Sequence, residues 1–253
     1  MTITNAYLTH NRPYAKRSKT TAIAIHWVAN PGTSAMQNRN YFQNTSTEVS
    51  ANYIVGLQGE VICCIPDEEV SWCTNQANSY TVSIENCHPD WTGKFNSATY
   101  NSLVELTVKL CKKYGLDPMN RGVIRHFDVT GKDCPKWFVP RSRGGSDTEN
   151  CEHWAQFLWD VKNKLTGASS KPASKPASTN NKPTSSTSSK TPTSYKVKVT
   201  ADALNIRKGA GTQYPIVGCI KDHGVYTIID TCNKWGFLKS KAGWICLDYV
   251  KKL

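Results

Sequence analysis

The sequence predicts two folded parts of different class: a mixed α/β domain over 1–167 and a small all-β barrel over 195–253, joined by a linker over 168–194. Three observations carry this reading. Ala168 to Ser194 reads ASSKPASKPASTNNKPTSSTSSKTPTS, with no aliphatic or aromatic side chain larger than Ala, and such a stretch cannot bury a core. Before it, short apolar runs are interleaved with segments of helical period. After it come only short strand-like runs broken by turns. At 253 residues, with 39% hydrophobic residues and eight Trp, the chain can furnish two modest cores.

In the first domain Thr21 to Ala29 (TAIAIHWVA) is apolar enough for a buried strand. Ala51 to Leu57 and Val61 to Ile65, separated by Gln58-Gly59-Glu60, read as a hairpin. Thr81 to Cys87 is a further strand. Asn96 to Tyr114 places Leu103, Leu106, Val108 and Leu110 along one segment behind Asn and Ser caps, and Gly115 closes it as a helix. A second helix is expected from about Thr148 to Leu165, with Trp154, Phe157, Leu158 and Val161 on its apolar face. In the second domain KVKVTA, LNIRKGAG, PIVGCI, VYTIIDTC, WGFLKS and AGWICLDYV have the spacing of a small barrel.

The net charge of +12 is unevenly placed: 17 basic against 15 acidic residues over 1–165, four against none over 166–194, and ten against four over 195–253. A basic small domain on a basic tether suits a polyanion, whether nucleic acid, membrane surface or anionic cell wall. The ten cysteines are spread without a C-x-x-C pair, which reads as mostly free thiols acting as small hydrophobes, with Cys63, Cys64, Cys87, Cys219, Cys232 and Cys246 in or beside strand-like runs. Met1 to Thr20 has no apolar core before a cleavage site, and no segment approaches membrane-spanning length, so neither a signal peptide nor an integral membrane contact is expected.

His26 stands among apolar strand residues, where a satisfied core histidine is the ordinary reading. His126 stands in GVIRHFDVTGKDCP, eight residues before Cys134. Imidazole and thiolate are donors zinc prefers, and three protein ligands leave a fourth position for water. The spacing from His26 to the other two is too long to be a motif.

The strand histidine in AIHW, the tyrosine in ANYIVG, the acid in VSIENC and the run HFDVTGKDCP together resemble the amidase-2 and peptidoglycan-recognition-protein family, over about residues 20 to 140. The last motif is the most specific, with His126, Lys132 and Cys134 at the family's spacing. The resemblance implies a central sheet flanked by helices and a zinc site of His26, His126 and Cys134. It also implies hydrolysis of the amide between N-acetylmuramic acid and L-alanine in peptidoglycan. LNIRKGAGTQYPIVGCI and GWICLDYV resemble bacterial SH3 domains of cell-wall hydrolases, which implies that the second domain binds the wall and raises the local concentration of the first.

Zinc chemistry activates water near neutral pH and polarises the carbonyl under attack, and a further group must carry the proton to the leaving amine. Glu85, at the end of an apolar strand, is the candidate, since a partly dry carboxylate has a raised pKa; the alternative is a surface acid at a strand end. The resemblance favours the catalytic role. It also maps Tyr53 and Lys132 as donors to the developing oxyanion, although an aromatic in a strand is ordinarily core and a loop lysine ordinarily a solvated charge. Relatives often carry a histidine where Cys73 stands, which leaves that side of the groove open.

Two other readings compete. Cys134 with His126 as its base would make a thiol peptidase, which leaves His26 unexplained. A muropeptide-binding protein without catalysis would lack the metal cysteine, which is present. Nothing resembles a nucleic-acid-binding signature. A wall substrate without a leader is reconciled by a phage endolysin that stays in the host cytoplasm until released to a Gram-positive wall.

Overall fold

The computed structural model describes residues 1–149, 151–167, 194–211, 214, 216–232 and 234–253, so the expected linker lies, apart from Ser194, outside the described residues. The chain divides into two compact units, Met1–Thr166 and Gly167–Leu253.

The first unit holds β1 (Ile3–Asn5), β2 (Ala22–Ile25), α1 (Ala35–Gln43), β3 (Tyr53–Val55), β4 (Val61–Cys63), β5 (Thr81–Asn86), α2 (Ser97–Tyr114), β6 (Val123–Arg125), α3 (Phe127–Thr130) and α4 (Glu152–Thr166). Its sheet runs β1-β4-β3-β5-β2-β6. β3, β5, β2 and β6 are parallel neighbours, while β4 returns antiparallel to β3. The expected hairpin is therefore present, its turn closed by Gly56 N–H to Glu60 O at 2.8 Å and by Gly59 at φ 80°.

Strand parity decides what each face carries. Ile23, Ile25, Val82, Ile84 and Tyr53 share one face through the register Ile23↔Val82, Ile25↔Ile84 and Tyr53↔Ile84. Helix α2 covers it. Asn96 caps that helix by accepting from Thr99 N–H at 2.9 Å, and Gly115 ends it in the left-handed region at φ 64°. Leu103, Leu106 and Leu110 are buried, each contributing roughly 1.5–3 kcal/mol. Helix α4 packs on α2, with Tyr100 Oη donating to Asp160 at 2.7 Å and Tyr100 edge-on to Phe157. It begins at Glu152, four residues later than expected.

The opposite face carries Ala22, Ala24, Ser83, Glu85 and Ile54. Helix α1 packs there, with Ala35 and Phe42 joining Ala51, Ile54 and Ile62 in one cluster. The sequence reading did not anticipate α1, whose only apolar inward residues are Ala35 and Phe42. A reciprocal cap starts it, Ser34 with Gln37.

The second unit contains β7 (Tyr195–Val199), β8 (Leu204–Arg207), β9 (Ile216–Ile220), β10 (Val225–Cys232), β11 (Trp235–Leu238), β12 (Trp244–Cys246) and β13 (Val250–Lys252), in the order β13-β7-β10-β11-β12-β8-β9. Every pairing is antiparallel. Val197 and Val199 from one end share a core with Leu204 and Ile220 from the other, so the sheet coils on itself. The all-β unit expected over 195–253 is therefore present. Among the described residues β13 and β9 remain unpaired edges, and closure comes from the shared core rather than from backbone hydrogen bonds.

The nine cysteines whose side chains are described are free thiols. No helix among the described residues is long and apolar enough to cross a membrane.

Candidate metal centre

β2 and β6 are adjacent and parallel, so their C-terminal ends reach the same edge of the sheet. His26 and His126 are the residues immediately beyond those ends, and the register Ile25↔Arg125 sets them side by side, with ring centroids 4.8 Å apart. His26 thus follows its strand rather than lying in the middle of one. Its N–H donates to Ile84 O at 2.9 Å, and its carbonyl accepts from Asn86 Nδ2 at 2.8 Å. His126 N–H donates to Ile25 O at 3.2 Å.

The third donor arrives by a short loop. α3 ends at Gly131, whose φ of 75° suits glycine, and Phe127 N–H donates to Cys134 O at 2.8 Å, folding Cys134 back beside His126. Arg125 braces the loop. Its guanidinium reaches Asp128 at 2.6 Å and Phe138 O at 2.7 Å, while its N–H donates to Asp128 at 2.8 Å.

The donor atoms of His26, His126 and Cys134 lie within 4.8 Å of one another, and all three residues are buried. Cys134 Sγ stands 3.6 Å from His26 Nδ1. A tetrahedral zinc ion with Zn–N of about 2.05 Å and Zn–S of about 2.3 Å requires a separation of about 3.6 Å between those atoms. Burial holds both histidines neutral: desolvation, reinforced by His126 and by Lys132, depresses His26 well below the usual imidazole range, and burial with Lys132 brings His126 down to about 4. Neutral imidazole is the ligating form. Burial also pushes the Cys134 thiol well up, which opposes a free thiolate nucleophile. The imidazole 3.6 Å from that thiol is His26, not the His126 expected of a thiol dyad.

Glu85 lies on the same sheet face as His26. Its Oε1 accepts from the Cys73 thiol at 3.5 Å, and its Oε2 is buried without a hydrogen-bond partner. Desolvation raises its pKa to about 8, against opposing effects from Cys73 and Lys132. Cys73 therefore lines the site beside Glu85, and His26, Cys73 and Glu85 form a second group of converging donors. Lys132 is exposed, yet its charge acts on His26, His126, Glu85 and Cys134 alike, which puts it at the rim.

Tyr53 is placed differently from expectation. The register Ile54↔Glu85 gives the site face to Ile54, and the two-residue period turns Tyr53 to the other side of the sheet. There it interacts with Cys63 and Asp67 and lines a cavity of about 440 Å³ with Tyr7, Glu68 and Lys109. An oxyanion donor at Tyr53 is incompatible with that placement.

Three polar residues behind the two histidines and Glu85 escaped the sequence reading. Thr74 Oγ1 is 3.0 Å from His26 Nε2 and 2.9 Å from Ser83 Oγ, and Asn75 Oδ1 is 3.0 Å from His126 Nε2. Only Ser83 left a signal, standing two residues before Glu85 in a strand and hence on its face.

The profile of the amidase-2 family, described as N-acetylmuramoyl-L-alanine amidase, matches residues 16–137. The chain is similar to the N-acetylmuramoyl-L-alanine amidase BlyA of Bacillus subtilis (strain 168), 31% identical over 194 residues, 68% of this chain and 50% of that protein. It is also similar to the N-acetylmuramoyl-L-alanine amidase CwlL of Bacillus licheniformis, 33% identical over 150 residues, 53% of this chain and 41% of that protein. The chain thus spans at most about half the length of these curated relatives. Among solved structures, the PlyG catalytic domain aligns with a TM-score of 0.54 at 22% identity, covering 68% of this chain and all of that one. PlyL aligns at 0.52 and 23%, covering 64% and 97%. These two likenesses concern the fold, which they share with the N-terminal unit. Matching profile, sheet and converging donors together place residues 16–137 in the amidase-2 family.

Proposed function

We propose that the protein hydrolyses the amide between N-acetylmuramic acid and L-alanine of peptidoglycan, with zinc held by His26, His126 and Cys134. The observation that carries the reading is the buried cluster of two neutral imidazoles and a thiol, whose donor atoms lie within 4.8 Å of one another, with Cys134 Sγ and His26 Nδ1 at the 3.6 Å a tetrahedral zinc needs between a sulfur and a nitrogen ligand. The names of the Bacillus relatives supply the bond.

Zinc bound there would supply activation of the attacking water and polarisation of the carbonyl. Glu85 removes the water's proton at Oε2, the oxygen without a partner, and returns it to the leaving amine. A carboxyl with a pKa of about 8 is close enough to neutrality to serve in both directions. Cys73 fixes Oε1 and so aims Oε2. Lys132, at the rim, stabilises negative charge on the former carbonyl oxygen.

The C-terminal unit, in this reading, is an SH3-like module that holds the enzyme on a Gram-positive wall, in the setting of a phage endolysin. Its charge supports this. Lys198 and Lys251 face each other across the β7–β13 pair, and Lys196 and Lys198 are both exposed. Like charges directly opposite cost stability, a cost that binding an anionic wall would offset.

The test is to incubate the purified protein with Gram-positive peptidoglycan and label new amino termini with and without a chelator. New N-terminal alanine that vanishes on chelation and returns with zinc is the expected result. Other termini, insensitive to chelation, would assign Cys134 as a peptidase nucleophile, and no new termini would leave a binding protein.

A further inference from the structure

We propose that Thr74 and Asn75 are positioning residues that hold the outer ring nitrogens of the two histidines and so turn both Nδ1 atoms toward the metal. The inference rests on the zinc reading of the site. A neutral imidazole has one N–H and one lone pair, and whichever nitrogen donates leaves the other to ligate. At His26 the lone pair belongs on Nδ1, the atom 3.6 Å from Cys134 Sγ. Nε2–H then donates to Thr74 Oγ1 at 3.0 Å, and the Thr74 hydroxyl shares a hydrogen bond of 2.9 Å with the Ser83 hydroxyl. Thr74 and Ser83 are both fully buried, so no water competes for these positions. At His126 an amide oxygen, Asn75 Oδ1, faces Nε2 at 3.0 Å. An amide oxygen only accepts, so Nε2 carries the hydrogen and Nδ1 is free to ligate.

The turn carrying these residues is built for the purpose. Asn78 Oδ1 accepts from Cys73 N–H at 3.1 Å and Thr74 N–H at 2.6 Å, and Ala77 N–H closes on Thr74 O at 3.1 Å. Gln76 Nε2 donates to Val129 O at 3.2 Å, tying the turn to α3. Successive side chains thus touch Glu85 from Cys73, His26 from Thr74, His126 from Asn75, and α3 from Gln76. Asn75 has φ 54°, a left-handed conformation that Asn adopts more readily than most side chains. One residue type therefore satisfies both the backbone and the ring.

The experiment measures zinc affinity of the full chain by competition with a chromophoric chelator. Thr74→Val keeps the shape and removes the hydroxyl, and Asn75→Gly keeps the positive φ and removes the amide. Both should bind zinc about 10–100-fold more weakly than wild type. Thr74→Ser and Asn75→Asp retain an acceptor and should stay within about threefold of wild type, or above it for the aspartate. The visible spectrum of the cobalt-substituted protein should broaden or shift in the first two variants and not in the second two. Wild-type affinity in Thr74→Val and Asn75→Gly would overturn the proposal, as would equal losses in the conservative pair. Failure of the wild type to take up zinc would instead overturn the metal reading beneath it.

Discussion

Replacing Glu85 by Gln preserves shape and removes the half-buried carboxyl of the site, and its consequence for stability follows from the sign of the shift. In the metal-free protein desolvation raises the Glu85 pKa from 4.5 to about 8. Below 4.5 the carboxyl is protonated in both folded and unfolded chains and contributes no pH dependence. Between 4.5 and 8 the unfolded chain loses the proton and the native one keeps it, so the native state binds more protons and stability falls as pH rises. Above 8 the whole penalty is present. At 1.36 kcal/mol per pKa unit it amounts to about 5 kcal/mol, and to roughly 3–5 kcal/mol once the partial exposure of Glu85 is allowed for. The assay is urea unfolding of wild type and Glu85→Gln in the presence of chelator from pH 5 to 8.5. The wild-type free energy should fall relative to the variant by about 1 kcal/mol per pH unit across that window. The slope is the diagnostic quantity, since the glutamine amide's own burial cost shifts the curve without tilting it. Turnover should meanwhile drop by about 10²–10⁴-fold. Parallel stability curves would refute the desolvated carboxyl, and undiminished turnover would refute its role in proton transfer.

Tyr53→Phe removes a hydroxyl facing Cys63 and Asp67 on the far side of the sheet, so it should cost about 0.5–1.5 kcal/mol of stability and leave kcat/KM unchanged; a tenfold loss, about 1.4 kcal/mol of transition-state stabilisation, would return Tyr53 to the reaction. Phe157→Ala empties a fully buried position stacked on Phe138 at 5.2 Å and should cost about 3–5 kcal/mol in thermal or urea unfolding, with activity per folded molecule retained; a cost below about 1 kcal/mol would mean that α4 does not anchor the fold. A chain ending at Gly167 should cleave small muropeptides as the full chain does and sediment less with walls at low salt, the difference shrinking as salt screens the charge; equal sedimentation would show that the C-terminal unit does not hold the wall.

Features encoded in adjacent residues are legible in the sequence. Asn96 and Gly115 bound α2 because capping is a contact between residues three or four apart. The β3–β4 hairpin is visible because its turn carries its own glycine. The motif HFDVTGKDCP announced His126 and Cys134, which a single loop brings together. Helix α1 escaped because a helix that buries only Ala35, Asn38 and Phe42 has almost no apolar period to detect.

The sequence by itself carried the candidate donors, the low-complexity stretch between two parts and the likeness to the family. The tertiary structure alone decided which side chains share the space around those donors. Tyr53 and Glu85 are both strand residues near the family's motifs, and only the register Ile54↔Glu85 shows that they face opposite sides of the sheet. The pairing of β2 with β6 joins His26 to His126 across a hundred residues of chain. Thr74 and Asn75 meet the two histidines from a turn whose position depends on packing rather than on any local pattern, and Ser83 backs Thr74 from strand β5. Strand parity and strand order are collective properties of the sheet: a one-residue change in register would reverse every face, and no window of sequence shorter than the domain contains that information.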